Sequence, residues 1–161
     1  MAFIYLLARQ YDAAIELYRK LVESAPGNAH FRFLLGASYV AKGMYMEGIA
    51  ELEKAVALDN APERWDRYPM LAYAYGVAGR RVEALKILQE QKRLAKQRYI
   101  ANYNFAIVYT GLGELDLAFE YLNKAYDDGY PLIVVPSKPL FDKLRSDPRY
   151  TALLERISRP R

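Results

Sequence analysis

The stretch FLLGASYVAKGMYMEGIAELEKAVALDN, residues 33–60, decides the fold. Apolar residues recur in it at helical spacing in two runs, broken once around Lys42-Gly43, which predicts two amphipathic helices joined by a tight turn. The pattern returns once upstream and twice downstream. Tyr5, Tyr39, Tyr75 and Tyr109 are separated by 34, 36 and 34 residues. Ala14, Gly48, Ala84 and Ala118 keep the same separations, and so do Arg9, Gly43, Gly79 and Gly113, where Arg9 is the one departure from glycine. Three tracks in one register mark an internal repeat, and this period suits two helices of about four turns each with their connections.

Each track has a physical reason. Gly43, Gly79 and Gly113 follow the first helix of a pair, where a residue without Cβ enters the left-handed region and satisfies the last carbonyls. Gly36, Ala72 and Ala106 stand two turns earlier on one face. There, and at the Ala14/Gly48/Ala84/Ala118 track, two helix backbones can approach closely. The tyrosines fill the neighbouring volume and bring a hydroxyl that needs a partner.

These residues resemble the tetratricopeptide repeat (TPR). Its succession of Leu, Gly/Ala, Tyr, Gly, aromatic, small, apolar and Ala stands here as Leu35, Gly36, Tyr39, Gly43, Tyr45, Gly48, Leu52 and Ala55. It continues as Leu71, Ala72, Tyr75, Gly79, Arg81, Ala84, Leu88 and Gln91, where Arg81 and Gln91 depart from the pattern, and then as Phe105, Ala106, Tyr109, Gly113, Leu115, Ala118, Leu122 and Ala125. The resemblance implies an all-α, right-handed solenoid of helix-turn-helix repeats closed by a C-terminal helical cap. The array is expected over residues 1–131, as a truncated repeat 1–27 followed by 28–62, 63–97 and 98–131. A capping tail with one or two short helices takes 132–161. The 36-residue step places a two-residue insertion near Asn60-Ala61-Pro62-Glu63. Pro69 requires the third pair's first helix to start late or bend.

In the tail, Leu132 to Val135 reads as a buried connector, since no second strand exists to pair with it. Lys138 to Leu144 reads as a short helix opened by Pro139, and Ser146 or Asp147 caps a last helix with Pro148 at its first position. Leu140, Phe141, Leu144, Tyr150, Leu153, Leu154 and Ile157 then cover the open end, as a terminal repeat must. The run FDKLRSDPRY, residues 141–150, with Arg98-Tyr99, is similar to the endings of TPR domains in bacterial winged-helix regulators, Ser/Thr kinases and adenylate cyclases. That implies the C-terminal module of a bacterial signalling or transcriptional regulator. Met1 to Ala8 reads as the tail of a first repeat helix, so a longer protein is expected.

Composition bounds the rest. The chain has 161 residues, 53% hydrophobic and 26% charged, which is globular and enough for one continuous core. It has no cysteine, so disulfides, thiolate nucleophiles and cysteine metal sites are excluded. The net charge of +4 does not announce a nucleic-acid binder. No apolar run approaches the ~18 residues of a membrane span. The opening MAFIYLLARQ lacks a basic region and a cleavage site, so no signal peptide is read there and a cytoplasmic location is expected.

Chemistry is sparse. His30 is the sole histidine and has no triad context. The acidic groups Glu47/Glu51/Glu53 and Glu114/Asp116/Asp127/Asp128 fall on solvent faces without calcium-loop spacing. The glycines stand singly at repeat turns, not in a phosphate loop. No enzyme activity, metal or cofactor is therefore expected. The basic residues Lys86, Lys92, Arg93, Lys96 and Arg98 lack aromatics spaced for stacking and read as a solvated helix end, so nucleic acid is not expected as a direct partner, nor is a membrane.

The resemblance implies instead a concave groove that holds a protein or peptide. Its positions carry over to His30, Phe33, Ala37 and Val40, then Asp66, Met70, Tyr73 and Val77, then Tyr103, Asn104, Ile107 and Thr110. Only Asn104 suits a clamp for a terminal carboxylate. An apolar, tyrosine-rich groove favours an amphipathic helix or hydrophobic peptide. The alternative is a small-ligand sensor with Tyr73, Tyr103 and Asn104 around an apolar pocket. Phe3, Leu6 and Leu7 in the truncated first repeat offer a route to self-association.

Overall fold

A computed structural model describes residues 8–58, 67–132, 135 and 138–158. Its helices in chain order are α1 Tyr11–Ser24, α2 Ala29–Lys42, α3 Tyr45–Leu58, α4 Tyr68–Val77, α5 Arg81–Ala95, α6 Asn102–Leu112, α7 Leu115–Asp127 and α8 Pro148–Ser158, with a 3₁₀ helix over Pro139–Leu144. There is no strand among the described residues. The helices pack in sequential pairs, α2 on α3, α4 on α5 and α6 on α7, and α4 also lies against α6. This is the all-α solenoid that the repeat pattern predicts.

The periodic residues perform the expected tasks. The Gly43 φ is 89° and the Gly113 φ is 77°, both left-handed. The chain then reverses with the amide of Met44 donating to the Tyr39 carbonyl at 2.9 Å and that of Glu114 to the Tyr109 carbonyl at 3.0 Å. Arg9, the non-glycine in that register, adopts the same region with φ 61°. Within the α2–α3 pair the small residues face each other. A Cβ on Gly36 would fall 2.9 Å from the Gly48 carbonyl oxygen, and one on Gly48 would fall 3.0 Å from the Gly36 oxygen. Ala14, Ala72, Ala84, Ala106 and Ala118 are all fully buried.

Two helix starts are set by the backbone around them. Pro69 falls in the first turn of α4, where its missing N–H costs nothing, so the helix begins late at Tyr68. The first helix of the fourth pair begins at Asn102, inside the repeat expected over 98–131. The Arg98 amide still donates to the Leu94 carbonyl at 2.9 Å, and Ala101 is extended at φ −57°, ψ 133°. The chain therefore leaves α5 late and needs a short connector before it turns. At the other end, Asp147 Oδ1 accepts from the Arg149 amide at 2.9 Å and caps α8.

The main core runs from Ala37 and Val40 of α2 through α4, α6 and α7 into the tail, where Leu132, Val135, Phe141, Leu144 and Leu153 are buried. A smaller cluster of Ala14, Ile15, Tyr18, Leu35 and Tyr39 joins α1 to α2. The expected tail residues thus cover the last pair. Phe141 and Leu144, three apart on the 3₁₀ helix, both point inward and are fully buried.

Candidate functional site

The first helices of the pairs, α2, α4 and α6, carry eleven of the twelve expected groove positions, and the structure treats them unequally. Phe33, Ala37 and Val40 of α2 and Met70 and Tyr73 of α4 line one cavity of about 260 Å³. Leu34, Ala41 and Tyr45 complete that wall, and Lys138, Pro139, Leu140, Asp142 and Lys143 of the tail form the opposite one. Asparagine capping starts α2 in the right place: Asn28 Oδ1 accepts from the amides of His30 and Phe31 at 3.0 and 3.1 Å. The Arg67 guanidinium then lies 5.7 Å from the centre of the Phe33 ring and donates to the Ala29 carbonyl at 2.7 Å, tying α4's start to α2.

The other positions do not meet there. His30 is exposed beside Phe31, with ring centres 6.4 Å apart. Asp66 lies outside the described residues, as do Phe3, Leu6 and Leu7. Val77 and Asn104 are half-buried and do not line the cavity. Ile107 is buried in the core. Thr110 is fully buried and its hydroxyl donates to the Ala106 carbonyl at 2.7 Å, so it offers a partner nothing. Tyr103 is covered by the chain itself: its ring stacks on Tyr130 at 4.7 Å and meets Phe141 edge-on at 5.8 Å. Tyr73, Tyr103 and Asn104 therefore do not surround a common pocket; only Tyr73 lines the cavity.

The tail's share in this site was missed by the repeat pattern. A signal did exist in KPLFDKL, residues 138–144, where Phe141 and Leu144 at a three-residue interval turn inward and free Leu140, Asp142 and Lys143 for the other side.

The electrostatics are lopsided. Asp142 Oδ2 accepts from Arg9 Nη1 at 2.6 Å, and its Oδ1 accepts from Arg9 Nη2 and Arg145 Nε, each at 2.7 Å. The Arg9 bond, then Arg145, holds the Asp142 carboxyl below the usual range. Lys138 sits with Nζ 5.1 Å from the centre of the Tyr103 ring, and burial holds its ammonium below the ordinary lysine range. Burial pushes the Tyr73 and Tyr103 hydroxyls up, well beyond an ordinary tyrosine. These groups can bind, and among them no nucleophile stands beside a base. Among the described residues, no group of three or more His, Asp or Glu could hold a metal ion. None of the described helices is long and apolar enough to cross a membrane.

The basic run differs from its sequence reading. Arg93 pairs with Glu90 at 2.6 Å, and Lys92 lies 5.7 Å from the centre of the Tyr109 ring. Lys92, Lys96 and Arg98 share a shallow depression with Tyr99, Phe105 and Tyr121, so aromatics are present there after all, and Tyr99 is 75% exposed.

Comparison with known proteins concerns the repeats. The tetratricopeptide repeat family matches residues 5–68 and again residues 99–127. No curated protein matches the chain by sequence. Among solved structures, the nearly identical TPR-like repeats assigned to a Podosopora anserina kinesin light chain are 20% identical, over 97% of this chain and 89% of that one, with a TM-score of 0.58. MamA is 22% identical over 98% of this chain and 92% of its own, with a TM-score of 0.54. At these identities the likeness concerns the fold.

Proposed function

Because the chain belongs to the tetratricopeptide repeat family, whose members generally serve as protein–protein interaction modules, we propose that it is a non-catalytic scaffold holding a peptide or helix on its concave face. The observation that carries this is the apolar cavity beside α2 and α4, a space that Phe33, Ala37, Val40, Met70 and Tyr73 line and that the core does not fill. One large apolar side chain docked there would gain about 1.5–3 kcal/mol from burial, so a partner needs further contacts along the face for useful affinity. The setting we propose is the cytoplasmic part of a bacterial signalling or transcriptional regulator, on the resemblance of residues 141–150 to the endings of such domains. Self-association through Phe3, Leu6 and Leu7 concerns residues outside those described and adds nothing to this reading.

A photo-crosslinking amino acid tests it. Placed at Ala41, on the cavity wall, it should capture a partner in cells; placed at Val82, 65% exposed on α5, it should not. Ala37→Trp, which fills the cavity, should abolish capture from Ala41 while the helical spectrum stays unchanged. Equal capture from both sites, or capture that survives Ala37→Trp, refutes the groove assignment.

A second reading has its own support. The tail residues Lys138, Pro139, Leu140 and Lys143 wall one side of the cavity and narrow a trough into a pocket. That shape suits a small apolar ligand.

A further inference from the structure

The cavity has apolar walls and an unbalanced set of charges. Phe33, Ala37, Val40, Met70 and Leu140 supply the walls. At about 260 Å³ it lies just below the ~300–1,000 Å³ of drug-sized sites and well above the ~150 Å³ that holds benzene. Four cations gather at its rim: Lys138 and Lys143 line it, while Arg9 and Arg145 stand one bond behind. Among the described residues that line the cavity, Asp142 is the one carboxylate, and both of its oxygens are taken by the two guanidiniums. Neither Lys138 nor Lys143 has a carboxylate within ion-pair distance among the described residues. Lys138 is the more telling of the two. The residue is half-buried, its ammonium lies over the face of Tyr103, and desolvation works against its charge there. A half-buried cation with no counter-ion among the described residues, beside an apolar pocket, is complementary to an anion attached to a hydrocarbon.

We infer that the cavity binds a small apolar monocarboxylate, with its hydrocarbon between α2 and α4 and its carboxylate on the Lys138 ammonium. The inference rests on the small-ligand reading of the cavity and names the ligand's class. A single charge fits because one half-buried ammonium, that of Lys138, has no carboxylate partner among the described residues; exposed Lys143 adds long-range attraction. Asp142 does not repel the ligand because Arg9 and Arg145 already neutralise it.

Three probes of matched length separate the terms: octanoate, octanol and octylammonium. They are titrated into the full chain carrying ¹³C-methyl methionine and followed by NMR. Met70 lines the cavity, whereas Met44 packs in the α1–α2 cluster and Met46 is 64% exposed, so these two are internal controls. The Met70 methyl should shift alone. Octanoate should bind about tenfold more tightly than octanol, the usual size of one charge-assisted hydrogen bond, and octylammonium most weakly. Lys138→Gln should erase the octanoate preference and leave octanol affinity unchanged, and Lys138→Arg should restore it. Octanol binding as tightly as octanoate in the wild type overturns the carboxylate assignment while leaving an apolar ligand pocket. A preference that survives Lys138→Gln overturns the role of Lys138. A Met70 methyl silent to all three probes overturns the pocket reading itself. The wild-type comparison needs no variant to fold.

Discussion

Gly111→Ala tests how the cavity wall is positioned. Helices α4 and α6 approach most closely where Gly76 faces Gly111. A Cβ on Gly111 would lie 2.5 Å from the Cα of Tyr73, 2.7 Å from its carbonyl oxygen and 3.0 Å from its carbonyl carbon. Ordinary contacts begin at 3.4 Å, and every atom met is backbone, so no rotamer change relieves the overlap. The helices must separate locally by about 1 Å, in an interior packed as tightly as a crystal. Alanine does improve helix propensity over glycine, by about 1 kcal/mol. Overpacking costs about 1–3 kcal/mol, and a backbone clash belongs at the upper end. The net is a loss of about 2 kcal/mol, or a fall in Tm of about 4–8 °C for a chain of this size. Thermal and urea unfolding by circular dichroism read this directly. Gly27→Ala is the control, because nothing lies within 4 Å of its added Cβ, and it should stay within about 0.5 kcal/mol of wild type. If Gly111→Ala matches or exceeds the wild-type Tm, propensity outweighs packing and the close crossing of α4 and α6 is wrong.

Two further outcomes follow from single side chains. The Gln91 amide is 1% exposed, and neither its nitrogen nor its oxygen has a hydrogen-bond partner among the described residues, so Gln91→Leu of similar volume should stabilise by about 1–2 kcal/mol; an unchanged or lower urea midpoint would show that the amide is satisfied. Acid should destabilise, because Asp142 and Glu51 are held below their ordinary range by their Arg and Lys partners and Asp147 is lowered to about 2 by Arg149: such carboxylates stabilise the fold above the unfolded value near about 4 and lose that contribution as pH falls through the folded one, so Tm should be flat from neutral pH to about 5, drop below about 4, and drop less in Asp142→Asn.

Local and periodic features were legible in the sequence; contacts between distant segments were not. The Gly43 and Gly113 turns, the Gly36–Gly48 contact and the late start of α4 at Pro69 each depend on residues near one another or on the repeat. The Gly76–Gly111 crossing escaped because these two glycines stand at different positions of their repeats: Gly76 follows Tyr75 directly, while Gly111 lies two beyond Tyr109. No track aligns them, although two extra glycines in first helices were visible. The candidate site divides in the same way. Five of the expected positions, on α2 and α4, meet because both helices contribute a face to one cavity. Tyr103 is hidden by Phe141, and the tail that hides it is not part of any repeat. The cavity's charged wall from Lys138 to Lys143 was therefore out of reach of periodicity.

What holds that wall in place is decided by magnitudes. Phe141 and Leu144 are fully buried, and truncating a core phenylalanine costs about 3–5 kcal/mol. The Arg9–Asp142 pair has side chains 45% and 35% exposed, so it contributes about 1 kcal/mol at most. The tail is thus fastened by burial, and the ion pair orients it without acting as a latch. Arg9 itself costs stability, since a non-glycine residue in the left-handed region is disfavoured by about 1–2 kcal/mol. The bond to Asp142 does not offset that cost, so stability alone gives no reason for an arginine where the other repeats place glycine. Its effect on charge bears on the ligand inferred above: Arg9 donates to both oxygens of Asp142, the one carboxylate lining the cavity among the described residues, and on that inference the ammonium of Lys138 is left to meet an incoming anion. The one break in the glycine track is thereby connected to the site, from the far end of the chain.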